Sequence, residues 1–248
     1  MNIYRKGEDK SEAIIFFNPM GTNKDFWNSL IPAELYDKYE IILFDYPGFS
    51  SDFVNQKTLH DTSEMVRNEL LIHLDKPFVF CGYSYGGMVV QELLKESYID
   101  LRSVILISSQ NQLTFYDKEI NKILHNTISM DELLFCRFLT ILSYDPFFVN
   151  KNNLFYMKLF SNLKLSPCSS AAIAQQLKQM SNIDKIDFPV LDIPALYIYG
   201  ENDRMLKINS VSEISKLLPK IEIKKLPESS HILDGKLLSE NILEFLNN

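Results

Sequence analysis

The chain has 248 residues, of which 46% are hydrophobic and 23% are charged. This length and composition are typical of one large folded α/β domain and argue against extensive disorder. The net charge of -7 and the pI near 5.2 argue against nucleic acid as the main partner, because phosphate binding needs a basic surface.

The N-terminal segment, residues 1–12, is polar and lacks the apolar run of a secretory signal. The apolar stretch that follows, Ala13–Phe17, is too short to span a bilayer. Cys81, Cys136 and Cys168 are odd in number and show no metal-type spacing. We therefore expect a cytoplasmic protein without stable membrane insertion.

Short aliphatic and aromatic runs bounded by turn residues predict six strands: Ala13–Phe17, Ile41–Asp45, Phe78–Cys81, Val104–Ser108, Ala195–Tyr199 and Ile221–Leu226. All but the last are nearly continuously apolar, as strands covered on both faces require. Helical patterns separate several of them: Thr62–Leu74, Met88–Glu96, Ile208–Leu218 and Leu237–Leu246. This alternation predicts an α/β fold with a doubly wound, mostly parallel sheet and helices on both faces.

The interval between Ser109 and Ile193 shows no strand pattern. It carries amphipathic helical stretches instead: Lys118–Thr127, Asp131–Leu142, Asn153–Leu163 and Ser170–Met180. We interpret residues 110–193 as a helical cap, inserted into a core formed by residues 1–109 and 194–248. The alternative is that these helices simply complete the main domain.

A G-x-S-x-G motif, Gly82-Tyr83-Ser84-Tyr85-Gly86, follows the strand at Phe78 and precedes a helical run. This context is typical of a sharp strand-to-helix turn that exposes a serine oxygen at the edge of the sheet. The helix N-terminus beneath the serine would favour a developing anion. Ser84 is therefore the candidate nucleophile.

A serine hydroxyl needs a base to remove its proton. Of the four histidines, His60 opens a helix, His73 lies within a helix and His125 lies in the predicted cap. His231 differs because it lies in a loop after the last strand and before the final helix. We therefore predict that His231 is the base.

An acid should lie between the serine and the histidine in the chain, at the end of a strand. Asp203 stands just past the strand at Ala195–Tyr199, where its carboxylate could orient an imidazole. Glu201 is a neighbouring rival, and Asp203 could alternatively be a turn or cap residue.

Together these motifs resemble the α/β-hydrolase superfamily, in its small, single-domain, helix-capped branch. Further matching segments are Phe44-Asp45-Tyr46-Pro47-Gly48, Asp192-Ile193-Pro194, Gly200-Glu201-Asn202-Asp203 and Ser230-His231. The resemblance favours Asp203 as the acid. It also implies a fold with a Ser84, His231 and Asp203 triad and acyl transfer through an acyl-serine.

The same resemblance implies an oxyanion hole made by two backbone N–H groups, those of Tyr85 and Met20. The family's loop usually begins His-Gly, whereas this chain has Asn18-Pro19. Proline has no N–H and could not be a donor. The resemblance aligns the donor position with Met20 and not with Pro19.

Several chemistries of the superfamily are set aside by the serine at position 84. Haloalkane dehalogenases and epoxide hydrolases resemble this fold but need a carboxylate nucleophile, and dienelactone-type enzymes use cysteine. H-E-x-x-H is absent, so we expect no metal and no cofactor.

The predicted cap contains many phenylalanines, and Phe138 and Phe148 are candidates for an apolar pocket that binds an acyl group. The layout and the Pro47-Gly48-Phe49 turn are similar to those of methyl ester esterases that act on carrier-bound pimeloyl groups. A carrier-bound substrate would favour basic cap residues, for which the candidates are Lys118, Lys122, Arg137 and Lys151.

We therefore expect a serine hydrolase that cleaves an ester or thioester of a small-molecule or carrier-bound hydrophobic acyl substrate, as a monomer or homodimer. An acyl-thioesterase or acyltransferase of a biosynthetic pathway is one alternative. A non-catalytic ligand-binding protein on the same fold is another.

Overall fold

The computed structural model describes residues 1–50, 52–152, 167–206 and 208–248. Seven strands form one sheet in the order β1-β3-β2-β4-β5-β6-β7, in which β1 is antiparallel to β3 and the other pairs are parallel. The strands are β1 Asn2–Lys6, β2 Ala13–Phe17, β3 Glu40–Asp45, β4 Phe78–Tyr83, β5 Leu101–Ile107, β6 Ala195–Gly200 and β7 Ile221–Leu226.

The helices lie on both faces of the sheet, so the predicted fold class is confirmed. They are α1 Ala33–Lys38, α2 Leu59–Glu69, α3 Tyr85–Leu93, α4 Phe115–Met130, α5 Glu132–Ser143, α6 Pro146–Lys151, α7 Pro167–Ser181, α8 Ile208–Leu217 and α9 Gly235–Asn247, with short 3₁₀ turns at Lys24–Ser29 and Leu71–His73. None of the described helices is long and apolar enough to cross a bilayer.

The two faces of the sheet bury separate hydrophobic clusters. In β2, Ile15 and Phe17 face a cluster that includes residues of α2, α3 and α8, whereas Ile14 and Phe16 face one that includes residues of α1 and α9. Successive residues of a strand point to opposite faces. This two-sided burial is why β2 and its neighbours are continuously apolar.

All six predicted strands are present, but β1 was not predicted. It pairs with β3 from Asn2 opposite Asp45 to Lys6 opposite Ile41. As an edge strand it is mostly exposed, so it has neither the apolar run nor the composition that identified the others. The short helix α1 was also absent from the sequence-based expectation.

The helices α4 to α7 lie between β5 and β6, where the sequence predicts helices and no strand. Helices α4 and α5 begin a few residues from the predicted starts, and α7 begins at Pro167. α4 packs against both α5 and α7, and one isolated bridge joins Gln112 to Lys185. The predicted stretch Asn153–Leu163 lies outside the described residues. The division into a core and a cap stays a prediction.

Candidate active site

Ser84 lies at the turn between β4 and α3 with φ 49° and ψ -113°. A positive φ is unusual for a residue with a side chain and costs about 1–3 kcal/mol, which the surrounding structure must offset. The turn also requires close backbone contact, since a Cβ on Gly82 would lie 2.7 Å from Cα of Gly87. The glycines of the motif therefore permit the turn that presents Ser84.

His231 lies in the loop between β7 and α9, and its Nε2 is 2.9 Å from Oγ of Ser84. The Tyr83 hydroxyl holds this loop by donating to the carbonyl of His231 at 2.8 Å and accepting from the N–H of Leu233 at 2.9 Å. The loop also passes so close to β6 that a Cβ on Gly200 would lie 2.1 Å from the Ser230 carbonyl oxygen. The loop that carries the imidazole is therefore held from two sides.

Asp203 follows β6, and its Oδ2 lies 2.9 Å from Nδ1 of His231. Its Oδ1 accepts the N–H groups of Met205 at 2.9 Å and Leu206 at 3.0 Å. Burial favours the neutral acid, but the interaction with His231 and these hydrogen bonds outweigh it and lower the pKa of Asp203. The site thus favours a carboxylate at this position.

The alternative acid, Glu201, is directed elsewhere. Its carboxylate is 2.8 Å from Nζ of Lys225 on the exposed face, and this lysine lowers the pKa of Glu201. Two other histidines contact different partners: His60 lies 3.5 Å from Glu92, and His125 contacts Asn126. Among the candidates from the sequence, Ser84, His231 and Asp203 are the three side chains brought into one chain of hydrogen bonds.

The loop after β2 carries Met20. It is held by Asn18, which stands where the family's loop usually has histidine. Asn18 is fully buried; its Nδ2 donates to the Phe44 carbonyl at 2.7 Å and its Oδ1 accepts from Trp27 Nε1 at 2.9 Å. A Cβ on Gly86 would lie 2.2 Å from the Phe17 carbonyl oxygen, so this loop runs directly against the start of α3. Asn18 therefore acts as a polar anchor of the loop.

The two predicted oxyanion donors lie on these adjoining segments. Tyr85 is the first residue of α3, so its N–H has no acceptor within the helix. Met20 is half-buried and lines the same cavity as Ser84. The donors' assignment to an oxyanion stays a prediction.

Glutamines of α7 contact both of these segments, a feature that the sequence did not predict. Gln176 Oε1 accepts the N–H of Gly21 at 3.0 Å, and Gln179 Oε1 accepts the Tyr85 hydroxyl at 2.6 Å. The Gln179 amide also donates to the carbonyls of Gln56 and Thr58 at 2.7 and 2.9 Å. Their only signal in the sequence is the helical spacing of polar residues on an otherwise apolar face.

A cavity opens above Ser84 and His231, and most of its wall comes from the segment between β5 and β6 and from the loop after β6. Its lining residues are Met20, Ser84, Met88, Ser108, Gln110, Leu113, Tyr116, Asp117, Ile120, Asn121, Leu142, Met180, Arg204, Met205, Leu206 and His231. The wall is thus largely apolar, with a smaller set of polar groups.

The two phenylalanines predicted for the pocket are not among these lining residues. Phe138 packs against the core cluster, while Phe148 stacks on Tyr144 with a ring separation of 5.6 Å and is 46% exposed. Amphipathic periodicity identifies a packing face but not which of its members face a cavity. The apolar wall contributed by the segment between β5 and β6 comes instead from Leu113, Ile120, Leu142 and Met180.

The described cysteines are unsuited to a nucleophilic role. Cys81 and Cys136 are buried free thiols, and burial raises the pKa of Cys81 well above its usual range and that of Cys136 to about 11. Within the described ranges, no three His, Cys, Asp or Glu side chains cluster as a metal site would require.

Comparison with known proteins gives relatives along nearly the whole chain. The chain is 25% identical over 243 residues to a pimeloyl-[acyl-carrier protein] methyl ester esterase of Legionella pneumophila, covering 94% of this chain and 92% of that protein. A counterpart in Vibrio vulnificus is 22% identical over 235 residues, with 88% and 86% covered.

Solved structures share the fold at lower identity. An alpha/beta hydrolase enzyme from a Medee basin deep-sea metagenome library superposes with a TM-score of 0.86 at 17% identity, covering 99% of this chain and 94% of that one. The family model described as alpha/beta hydrolase fold matches residues 12–233, from the start of β2 to the loop that holds His231. The chain therefore belongs to the alpha/beta hydrolase fold family.

Proposed function

We propose that this protein is a serine hydrolase that cleaves a carboxylic ester through an acyl-serine intermediate. The observation that carries the proposal is the continuous hydrogen-bonded chain from Ser84 Oγ through both ring nitrogens of His231 to Asp203, with 2.9 Å at each step. Ser84 and His231 border a cavity that is lined by residues from several elements. A nucleophile, a base and an orienting acid in this order are what acyl transfer requires.

In the proposed reaction, Oγ of Ser84 attacks the ester carbonyl carbon while Nε2 of His231 takes the hydroxyl proton. Asp203 holds Nδ1 and stabilises the imidazolium that forms. The carbonyl oxygen becomes an oxyanion that the N–H groups of Met20 and Tyr85 stabilise, each contributing about 3 kcal/mol.

The tetrahedral intermediate then collapses and the C–O bond to the alcohol breaks. The alcohol oxygen takes the proton from His231 as it leaves. Water attacks the remaining acyl-serine while His231 takes a proton from the water. The bond from the acyl carbon to Oγ then breaks and His231 returns the proton to Oγ, which releases the carboxylic acid and restores Ser84. Atoms and charges balance without a cofactor.

We further propose that residues 110–193 act as a cap that selects a mainly hydrophobic acyl group. Leu113, Ile120, Leu142 and Met180 support this role because they line the cavity that contains Ser84. Contacts remote from the reacting carbonyl can exclude water and determine which acyl group is held for attack.

A carrier-bound acyl ester is the finer form of the proposal, and the names of the curated relatives support it. Two of the four candidate basic residues lend it little further support. Lys118 pairs with Asp184 at 2.5 Å and Lys122 with Glu119 at 2.6 Å, so both charges already have acidic partners. The proposal therefore rests on the ester chemistry and not on a surface that binds a carrier protein.

A fluorophosphonate probe tests the proposal, because it reacts with an activated serine. Wild-type protein should be labelled and should hydrolyse short-chain esters, and Ser84→Ala should lose both activities with an unchanged melting curve. Ser109→Ala is the matched control, since Ser109 is a buried serine nearby whose Oγ donates to the Ser84 carbonyl at 2.9 Å. Labelling that persists in Ser84→Ala would refute the assignment.

A further inference from the structure

Two side-chain amides in the cavity wall are not accounted for by a purely apolar acyl group. Gln110 and Asn121 line the cavity with Ser84 and are only 9% and 7% exposed. Within the described part of the chain, Oε1 of Gln110 has no hydrogen-bond partner. A buried polar atom left unpaired costs about 1–3 kcal/mol, so a ligand group that hydrogen-bonded to it would gain from satisfying it.

A charged side chain in the cavity wall limits which substrate group could bind beside Gln110 and Asn121. Asp117 lies one helical turn before Asn121 on α4 and lines the same cavity. Its Oδ2 is held by the N–H and hydroxyl of Thr114, at 2.9 and 2.6 Å. A substrate carboxylate near this wall would therefore meet a fixed like charge, which disfavours an anion.

The lining residue of opposite charge, Arg204, does not reverse this preference. Arg204 is exposed, so solvent and salt screen its charge. The amides of Gln110 and Asn121 each carry donor and acceptor atoms. A neutral group that both donates and accepts, such as a carboxamide or a hydroxyl, matches these amides best.

We infer that the cavity binds an acyl chain carrying a neutral hydrogen-bonding group, and that Gln110 and Asn121 recognise this group. The apolar wall, including Met88 and Ile120, holds the methylene part of the chain. The inference rests on the proposed function, because that function makes the acyl group the part of the substrate that enters the cavity.

The test uses methyl esters of matched chain length that end in a methyl, a carboxamide, a hydroxyl or a carboxylate group. For wild-type protein, we expect kcat/KM to be about 10-fold higher for the carboxamide or the hydroxyl than for the methyl terminus, as one net hydrogen bond gives. The carboxylate should be the poorest substrate. Equal rates for all four termini would overturn the inference.

Two variants on different elements assign the preference to its residues. Gln110→Met and Asn121→Leu should each lower the ratio of carboxamide to methyl rates, and the double variant should bring it close to unity. Asn126→Leu, the same change at an exposed position of α4, should retain the wild-type ratio. If Gln110→Met fails to fold, Asn121→Leu still decides. A ratio unchanged in Asn121→Leu would contradict the assignment of that residue.

Binding to Ser84→Ala, measured by calorimetry, separates this inference from the proposed function. Tighter binding of the carboxamide ester than of the methyl-terminated ester would support the recognition site even if wild-type protein hydrolysed neither. Equal binding to a protein whose wild type is an active esterase would leave the proposed function intact and refute the recognition site.

Discussion

At the scale of single residues, the site depends on one strained serine and two side chains that reach it from distant loops. Ser84 keeps a positive φ because β4 and α3 enclose it on both sides and because the glycines of its motif admit that approach. Its N–H donates to the Ile107 carbonyl at 2.8 Å, which ties the turn to β5. The turn is therefore held by a strand in the buried centre of the sheet.

We predict that the side chains of the proposed triad act as one unit. His231→Ala should reduce kcat for ester hydrolysis by roughly as much as Ser84→Ala, about 10⁴-fold or more, and the double variant should be little worse than either. Asp203→Asn should cost less than either change but still about 10²-fold or more, because it loses the orienting carboxylate. Steady-state kinetics on a short-chain ester measure all four.

Glu201→Gln supplies the control, since Glu201 is a neighbouring acid that pairs with Lys225 instead of His231. Its kcat should remain near that of wild type. A crippled Glu201→Gln together with a nearly neutral Asp203→Asn would show that the acid has been chosen wrongly.

At the scale of elements, β1 and α7 are held by specific polar contacts in addition to their apolar packing. The glutamines of α7 join this helix to the loop after β2 and to the first residue of α3. β1 is joined to β3 by its ladder and by Glu40, whose fully buried carboxylate lies 2.5 Å from Arg5 and 2.8 Å from Lys76. Hydrophobic periodicity finds the helix α7 but does not reveal these polar contacts.

The Glu40 pairs give a prediction about stability and pH. Burial opposes the charged form, but Arg5 and Lys76 outweigh it and lower the pKa of Glu40 below its ordinary value of 4.5. The stabilisation is therefore complete above that value and is lost as the pH falls through the lowered pKa. Glu40→Gln should destabilise the protein at neutral pH by about 2 kcal/mol, below the range for a fully buried pair because Arg5 is partly exposed.

Urea unfolding of both proteins at neutral and acidic pH measures this effect, and the difference between them should shrink at the acidic end. Glu213→Gln is the control, because Glu213 pairs with Lys216 near the surface, where such pairs contribute little. A Glu40→Gln deficit that is the same at both pH values would contradict the assigned cause.

At the scale of the whole molecule, the sheet carries the proposed chemistry while the segment between β5 and β6 supplies much of the cavity wall. We predict that Ile120→Ala and Leu142→Ala shift the chain-length preference toward longer acyl esters, by about 10-fold in relative kcat/KM, because each removes apolar wall and enlarges the cavity. An acetyl ester, which barely reaches this wall, should be less affected.

A chain-length series for each variant makes the comparison. Phe147→Ala is the matched control, since Phe147 belongs to the same segment but is largely exposed and outside the lining. Ile120→Ala and Leu142→Ala variants that changed the rates of all esters equally would contradict a selective role for this segment.

The sequence by itself determined the five interior strands, β2 to β6, because burial on both faces forces a nearly continuous apolar run at each. It also indicated Ser84 and His231, because the glycine spacing around Ser84 and the order of the two residues along the chain can both be read from the sequence. Only the tertiary structure decided which acid contacts His231, where β1 pairs and which side chains line the cavity. Those outcomes depend on the approach of segments far apart in the chain, as when Asp203 and not Glu201 meets the imidazole. Periodicity finds the buried face of a helix such as α5, but only its packing partners determine that Leu142 and not Phe138 borders the cavity.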